Sequence, residues 1–226
     1  AEHSPAQTRQ IRREESRKAA AILGAHWHPS LVDDLEILYE PKLIKRLCAI
    51  IREVGPDIVM THPPQDYMED HTSTCRLVVS AAFARGMPNY VTQPPRPAIG
   101  GNVTVYHAQP YSHRDPLGNV VEPSLVVDTT DLIAQKKQML SKHASQKQWL
   151  DESQGLDSYL DTLVDLDAEV GRMSSIFKHA EGWRRHLHLG EQIAGEAVEP
   201  DRGGGGFGGG HLLPEERADP AGEDVA

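Results

Sequence analysis

Residues 56–85 constrain this chain more than any other stretch. Pro56 is followed by Asp57-Ile58-Val59-Met60-Thr61, an apolar run of strand length, and then by His62-Pro63-Pro64. A loop dense in carboxylates comes next, Asp66-Tyr67-Met68-Glu69-Asp70-His71. Thr72-Ser73-Thr74 then opens a helix with apolar positions at Leu77, Val78, Ala81 and Ala82. An apolar strand that passes through a polar loop into a helix is the βα unit of a parallel sheet. The spacing predicts a buried strand over 57–61 and a helix over 72–85. Ligands of open α/β sheets gather at the carboxyl ends of the strands. Asp66, Asp70 and His71 fall there, and histidine with aspartate suits a borderline metal such as zinc.

The flanking sequence supplies more elements of the same kind. A helix is expected over 7–23, with Thr8 as cap and Gly24 just past its end. A strand is expected over 35–39. Residues 41–54 place Leu43, Ile44, Leu47, Ile50, Ile51 and Val54 at helical spacing, with Pro41 in the first turn and Gly55-Pro56 as the stop. Four prolines make 88–101 a loop. Strands are expected over 103–108 and 124–128, with a turn at 115–119 between them. Helices are expected over 130–150, 156–173 and 181–188. After Gly190 the chain turns glycine-rich and acidic, which predicts one domain over 1–190 and a disordered tail over 191–226.

The formal net charge is -10, which argues against nucleic-acid or anionic-membrane partners. The tail carries most of that charge, so substrate charge cannot be read from it. No apolar run approaches the ~20 residues of a membrane span. Cys48 and Cys75 fall on apolar helix faces, which fits free thiols in a reducing, cytoplasmic compartment. The chain opens at Ala1 inside what reads as a loop, so a fragment of a longer protein is expected.

Several residues carry two readings. His71 is a metal ligand or packs at a helix N-terminus, where the dipole favours neutral imidazole. Asp70 orients a neighbouring group or caps the helix. Asp66 is a site carboxylate or a turn former after Pro63-Pro64. His62 and His107 each end a strand and are candidates for one crevice. The polar run 142–146, which includes His143, interrupts a helix.

Three stretches together resemble a known family. Arg12-Arg13-Glu14-Glu15 through Ala19-Ala20-Ala21-Ile22-Leu23-Gly24 resembles its R-x-x-E-x-x-x-A-A-x-x-L-G helix. Pro56-Asp57-Ile58-Val59 with Asp66 to His71 resembles its P-D-x-V strand and D-x-H-x-D-H loop. Lys136, Leu140 and His143-Ala144-Ser145-Gln146 resemble its K-x-x-x-L-x-x-H-x-S-Q helix. The chain thus looks like the LmbE / PIG-L family of zinc-dependent N-deacetylases over about residues 5–190. The resemblance implies a Rossmann-like, mostly parallel sheet flanked by helices. It implies hydrolysis of acetamido groups on small N-acetylated sugars of the N-acetylglucosamine type, with one Zn2+ and often a homo-oligomer.

Within that resemblance His71 matches a zinc ligand. The family's H-P-D-D strand, which brings two further ligands and the general base, has no counterpart here. The first strand is therefore expected to be missing and this chain to be inactive by itself. Met68 stands where the family has a histidine that steadies the tetrahedral intermediate, and a thioether donates no hydrogen bond. His107 is the expected replacement, His143 or His107 the acid for the leaving amine, Asp70 the orienting carboxylate, and Arg12 a contact to substrate hydroxyls or phosphate. The rival expectation is a degenerate, non-catalytic member that binds a sugar or a partner.

Overall fold

The computed structural model describes residues 3–147, 150, 159–187 and 210–212. Helix α1 runs Pro5–Ile22. Ser4, not Thr8, caps it: its hydroxyl accepts the Gln7 N–H while the Gln7 side chain accepts the Ser4 N–H. Gly24 follows with φ 63, the left-handed geometry that ends a helix cheaply only at glycine. The strand expected over 35–39 is absent, and the segment is irregular. Leu35 takes φ 64 there, and its N–H is held by the Asp70 carboxylate at 2.7 Å.

Helix α2 spans Pro41–Val54, as the periodicity predicts, and Gly55 closes it at φ 60. Strand β1 is Ile58–Thr61. It lies at the sheet edge and is not the buried strand expected: Ile58 and Met60 are 58% and 59% exposed. Helix α3, Glu69–Ala84, starts three residues earlier than predicted, which puts Asp70 and His71 in its first turn. Strand β2 is Thr104–Ala108 and β3 is Leu125–Asp128. Helix α4, Ile133–Leu140, stops where the polar run begins, and a new helical turn starts at residue 144.

Helix α5 is Tyr159–Ser174. Strand β4, Ala180–Arg185, replaces the helix expected over 181–188; the end of that expectation, 188, lies outside the described residues. The reason is tertiary. β4 fills the gap between β2 and β3 and pairs with both. Gly182 makes the fit, because a Cβ there would sit 2.8 Å from Pro123 Cβ. Strand β5, Gly210–Leu212, pairs antiparallel with β3. Three residues of the expected tail therefore join the sheet, and the rest of it lies outside the described residues.

The strand order is β1-β2-β4-β3-β5. The α/β class holds, but the sheet is mixed: β1–β2 is parallel and the other three pairings are antiparallel. Two clusters make the core. Cys48 and Ile51 of α2 and Ala81, Ala82 and Ala84 of α3 pack with Val103 and Val105. Val126, Val170 and Ala180 pack with Phe177. Alanines at 81 and 82, wholly buried, let α3 lie close against its neighbours.

Arg52, buried in α2, fixes the far end of α3. Its guanidinium donates to the carbonyls of Ala84, Arg85, Met87 and Arg96 at 2.7–3.1 Å. A buried cation is tolerable when its donors are all answered. On the other side of the domain, Lys136 joins Asp167 at 2.5 Å and Glu181 at 2.7 Å, and Thr129 also donates to Asp167.

Candidate functional site

The loop between β1 and α3 builds the site. Asp66, after two prolines, forms a local turn: its Oδ1 accepts the Met68 N–H at 2.9 Å. The same oxygen lies 3.1 Å from His71 Nδ1. The carboxylate is 3% exposed, and the imidazole 37%. A carboxylate on Nδ1 holds the proton there and leaves Nε2 as the lone-pair nitrogen. The His62 ring stacks on His71 with centroids 4.6 Å apart. Burial pushes the His62 pKa down, and the nearby His71 adds to that. Tyr67, exposed, stands 6.2 Å from His71 and 6.3 Å from Tyr111.

Asp70 and Arg12 meet through one backbone segment. Asp70 Oδ2 accepts the Leu35 N–H. Arg12 donates to the neighbouring Asp34 at 2.7 Å, and Arg9 pairs with Asp33. Asp70 is thus not the helix cap, which is Met68; it ties the 33–35 segment to α3. Arg12 is held at this same segment in an exposed ion pair, which a ligand can compete for. Met68 is the N-cap residue of α3 and makes no side-chain capping bond.

His107 ends β2 beside Thr61, as expected, but its task differs from the one expected. It is 4% exposed, and both ring nitrogens are engaged. A carbonyl only accepts, so Nδ1–H donates to His62 O at 2.9 Å; Nε2 then accepts from His186 Nδ1 at 2.9 Å. Burial lowers its pKa, in keeping with the neutral ring. No donor is left over for an oxyanion, and His107 instead anchors the backbone under the His62–His71 stack. Cys75 Sγ lies 3.5 Å from the same Nδ1, but burial pushes the thiol up, and a donating Nδ1 is no base for it.

His143 stands apart from this hydrogen-bonded group. It sits at the break after α4, where its N–H reaches Leu140 O and its carbonyl receives the Lys147 N–H, each at 3.1 Å. The residue that sequence reasoning missed is Glu15. Buried on α1, it accepts the Ser145 N–H at 2.8 Å and the Ser145 hydroxyl at 2.7 Å. It thereby caps, from another element, the helical turn after His143. The fourth-position glutamate of the R-x-x-E helix and the serine of the H-x-S-Q stretch were the available signals.

Among the described residues no group of three His, Cys, Asp or Glu side chains is placed to hold a metal ion. His71 offers a single donor, short of the three protein ligands a catalytic zinc takes. No helix among the described residues is long and apolar enough to cross a membrane.

Residues 1–82 match the family model described as PIG-L: GlcNAc-PI de-N-acetylase. Three solved structures share the fold. A conserved protein from Thermus thermophilus is 19% identical at TM-score 0.63, covering 83% of this chain and 76% of that one. GalB, the 4-carboxy-2-hydroxymuconate hydratase of Pseudomonas putida, is 23% identical at TM-score 0.65, covering 86% and 79%. The N,N'-diacetylchitobiose deacetylase of Pyrococcus horikoshii is 22% identical at TM-score 0.62, covering 78% and 63%. The resemblance to the LmbE / PIG-L family thus rests on the family's own model over residues 1–82, and a deacetylase of known structure shares the fold.

Proposed function

We propose that this chain is part of a metal-dependent hydrolase that removes acetyl from small N-acetylated sugars of the N-acetylglucosamine type. The observation that carries the reading is His71, with Nδ1 on buried Asp66 and Nε2 left as a donor. The match of residues 1–82 to a de-N-acetylase model supports it, as does the fold shared with a chitobiose deacetylase. The described residues do not complete a zinc centre. What they do is set an imidazole: Asp66 fixes its tautomer, His62 stacks against it, and His107 holds His62 from behind. Free, buried Cys48 and Cys75 support a reducing, cytoplasmic setting.

A non-catalytic, sugar-binding relative is the second reading, favoured by Met68 in place of a hydrogen-bonding residue. The test, made on the whole protein of which this chain is part, measures bound zinc after dialysis against the metal, and acetate released from N-acetylglucosamine and diacetylchitobiose. The hydrolase reading expects acetate release, and zinc retention that drops at least about tenfold in affinity in His71→Ala. Sugar binding without acetate under saturating zinc selects the second reading. Unchanged zinc affinity in His71→Ala removes the ligand assignment.

A further inference from the structure

Thr61, His107 and Arg184 stand side by side on one face of the sheet, since the register pairs Thr61 with His107 and His107 with Arg184. That row lies at the carboxyl end of the parallel pair β1–β2, the end of the sheet that carries His62 and His71. His107 is satisfied internally, but its two neighbours are not. Thr61 Oγ1 and Arg184 Nε are buried without a hydrogen-bond partner among the described residues. Arg184 is half-buried, and among the described residues the titratable groups that interact with it are the Cys75 thiol and the His107 ring, not a carboxylate.

The same molecule shows what a structural arginine looks like. Arg52 spends its donors on four carbonyls. Arg184 has the same fork of five donors and no such partner among the described residues. Removing a guanidinium from water without a counter-charge is costly, and burial does lower the Arg184 pKa. The fork geometry matches two oxygens of a carboxylate or phosphate.

We propose that Arg184 is an anion-binding residue of this site and takes a carboxylate or phosphate group carried by the N-acetylated sugar. The sugar part rests on the function proposed above; the anion part rests on Arg184 alone. The substrate class narrows to acidic N-acetylated sugars.

The test uses the whole protein of which this chain is part, with three probes: N-acetylglucosamine, N-acetylmuramic acid, which adds a carboxylate, and N-acetylglucosamine 6-phosphate. Binding is read by calorimetry and by melting temperature, in the wild type and in Arg184→Met. At least one acidic sugar is expected to bind the wild type about 10- to 100-fold more tightly than the neutral one, the worth of a charged hydrogen bond. Which acidic sugar wins identifies the group. Arg184→Met is expected to lose that preference and, without ligand, to melt at a higher temperature, because an unanswered cation has left.

Equal binding of all three sugars by the wild type overturns the anion role. So does a preference that survives in Arg184→Met, or a variant that melts lower and loses all three sugars alike. Acetate release is followed in parallel. A charge preference without acetate from any probe overturns the deacetylase reading and leaves the anion site standing. Acetate release with equal kcat/KM for charged and neutral sugars does the reverse.

Discussion

Replacing Glu15 by alanine takes the acceptor from both Ser145 groups, 130 residues away in the chain. A hydrogen bond to a charged group contributes about 1.5–3 kcal/mol. Ser145 is half-buried, so water restores part of what is lost. The expected destabilisation is about 2–4 kcal/mol. Glu15→Gln keeps one acceptor but removes the charge from the start of the helical turn, and about 1–2 kcal/mol is expected. Urea unfolding reads both, and Trp27 is a local reporter because its indole N–H donates to Ser16 on the same helix at 3.0 Å. In melting, Glu15→Ala should lower Tm by roughly 4–16 °C for a chain of this size. The cycle with Ser145→Ala should show a coupling of about 1–3 kcal/mol. A Glu15→Ala change below ~0.5 kcal/mol, the range of ordinary surface substitutions, would refute the reasoning.

Other outcomes follow from other contacts. On the proposed hydrolase reading, Asp66→Asn should weaken zinc binding by about 10- to 100-fold without unfolding the protein, since the carboxylate beside His71 loses its charge; unchanged affinity in a titration would remove that role. His62 and His107 have pKa values lowered by burial from the ordinary 6.5. The unfolded chain then binds protons that the folded one refuses, so stability is full above pH ~6.5 and declines as pH falls below it. Melting curves between pH 8 and 5 should show this decline, shallower in His107→Gln; a flat profile would contradict it. Lys136→Met strands Asp167 and Glu181 and should cost about 3 kcal/mol, partly recovered by adding Asp167→Asn; thermal melts of both variants decide it. Gly171→Ala pushes a Cβ to 2.5 Å from Lys178 O, a backbone atom, and should cost more than about 2 kcal/mol by the same assay.

The sequence spoke clearly where one period dominated. The ends of α2 were readable from Pro41, six apolar positions and Gly55, because capping and amphipathicity agreed. The βα unit around His71 was readable for the same reason, although α3 begins at Glu69: acidic residues suit a first helical turn as well as a loop. β4 was not readable. Trp183-Arg184-Arg185 has no alternation, and what makes it a strand is the pair of open edges on β2 and β3. The partners of Asp70 and Glu15 were equally hidden, since each binds a backbone N–H from a distant segment. The fate of His107 could not be foreseen either, because whether a strand-end histidine faces a ligand or another histidine depends on what crosses the strand beside it.

Arg52 has one more consequence. It recognises main-chain oxygens alone, so the side chains at positions 84, 85, 87 and 96 are not part of what it reads. Evolution can therefore rewrite the proline-rich segment behind α3 while the heel of that helix stays where it is. The opposite end, where the imidazole sits, inherits a fixed axis, and new loop sequences can be tried against a ring held in place.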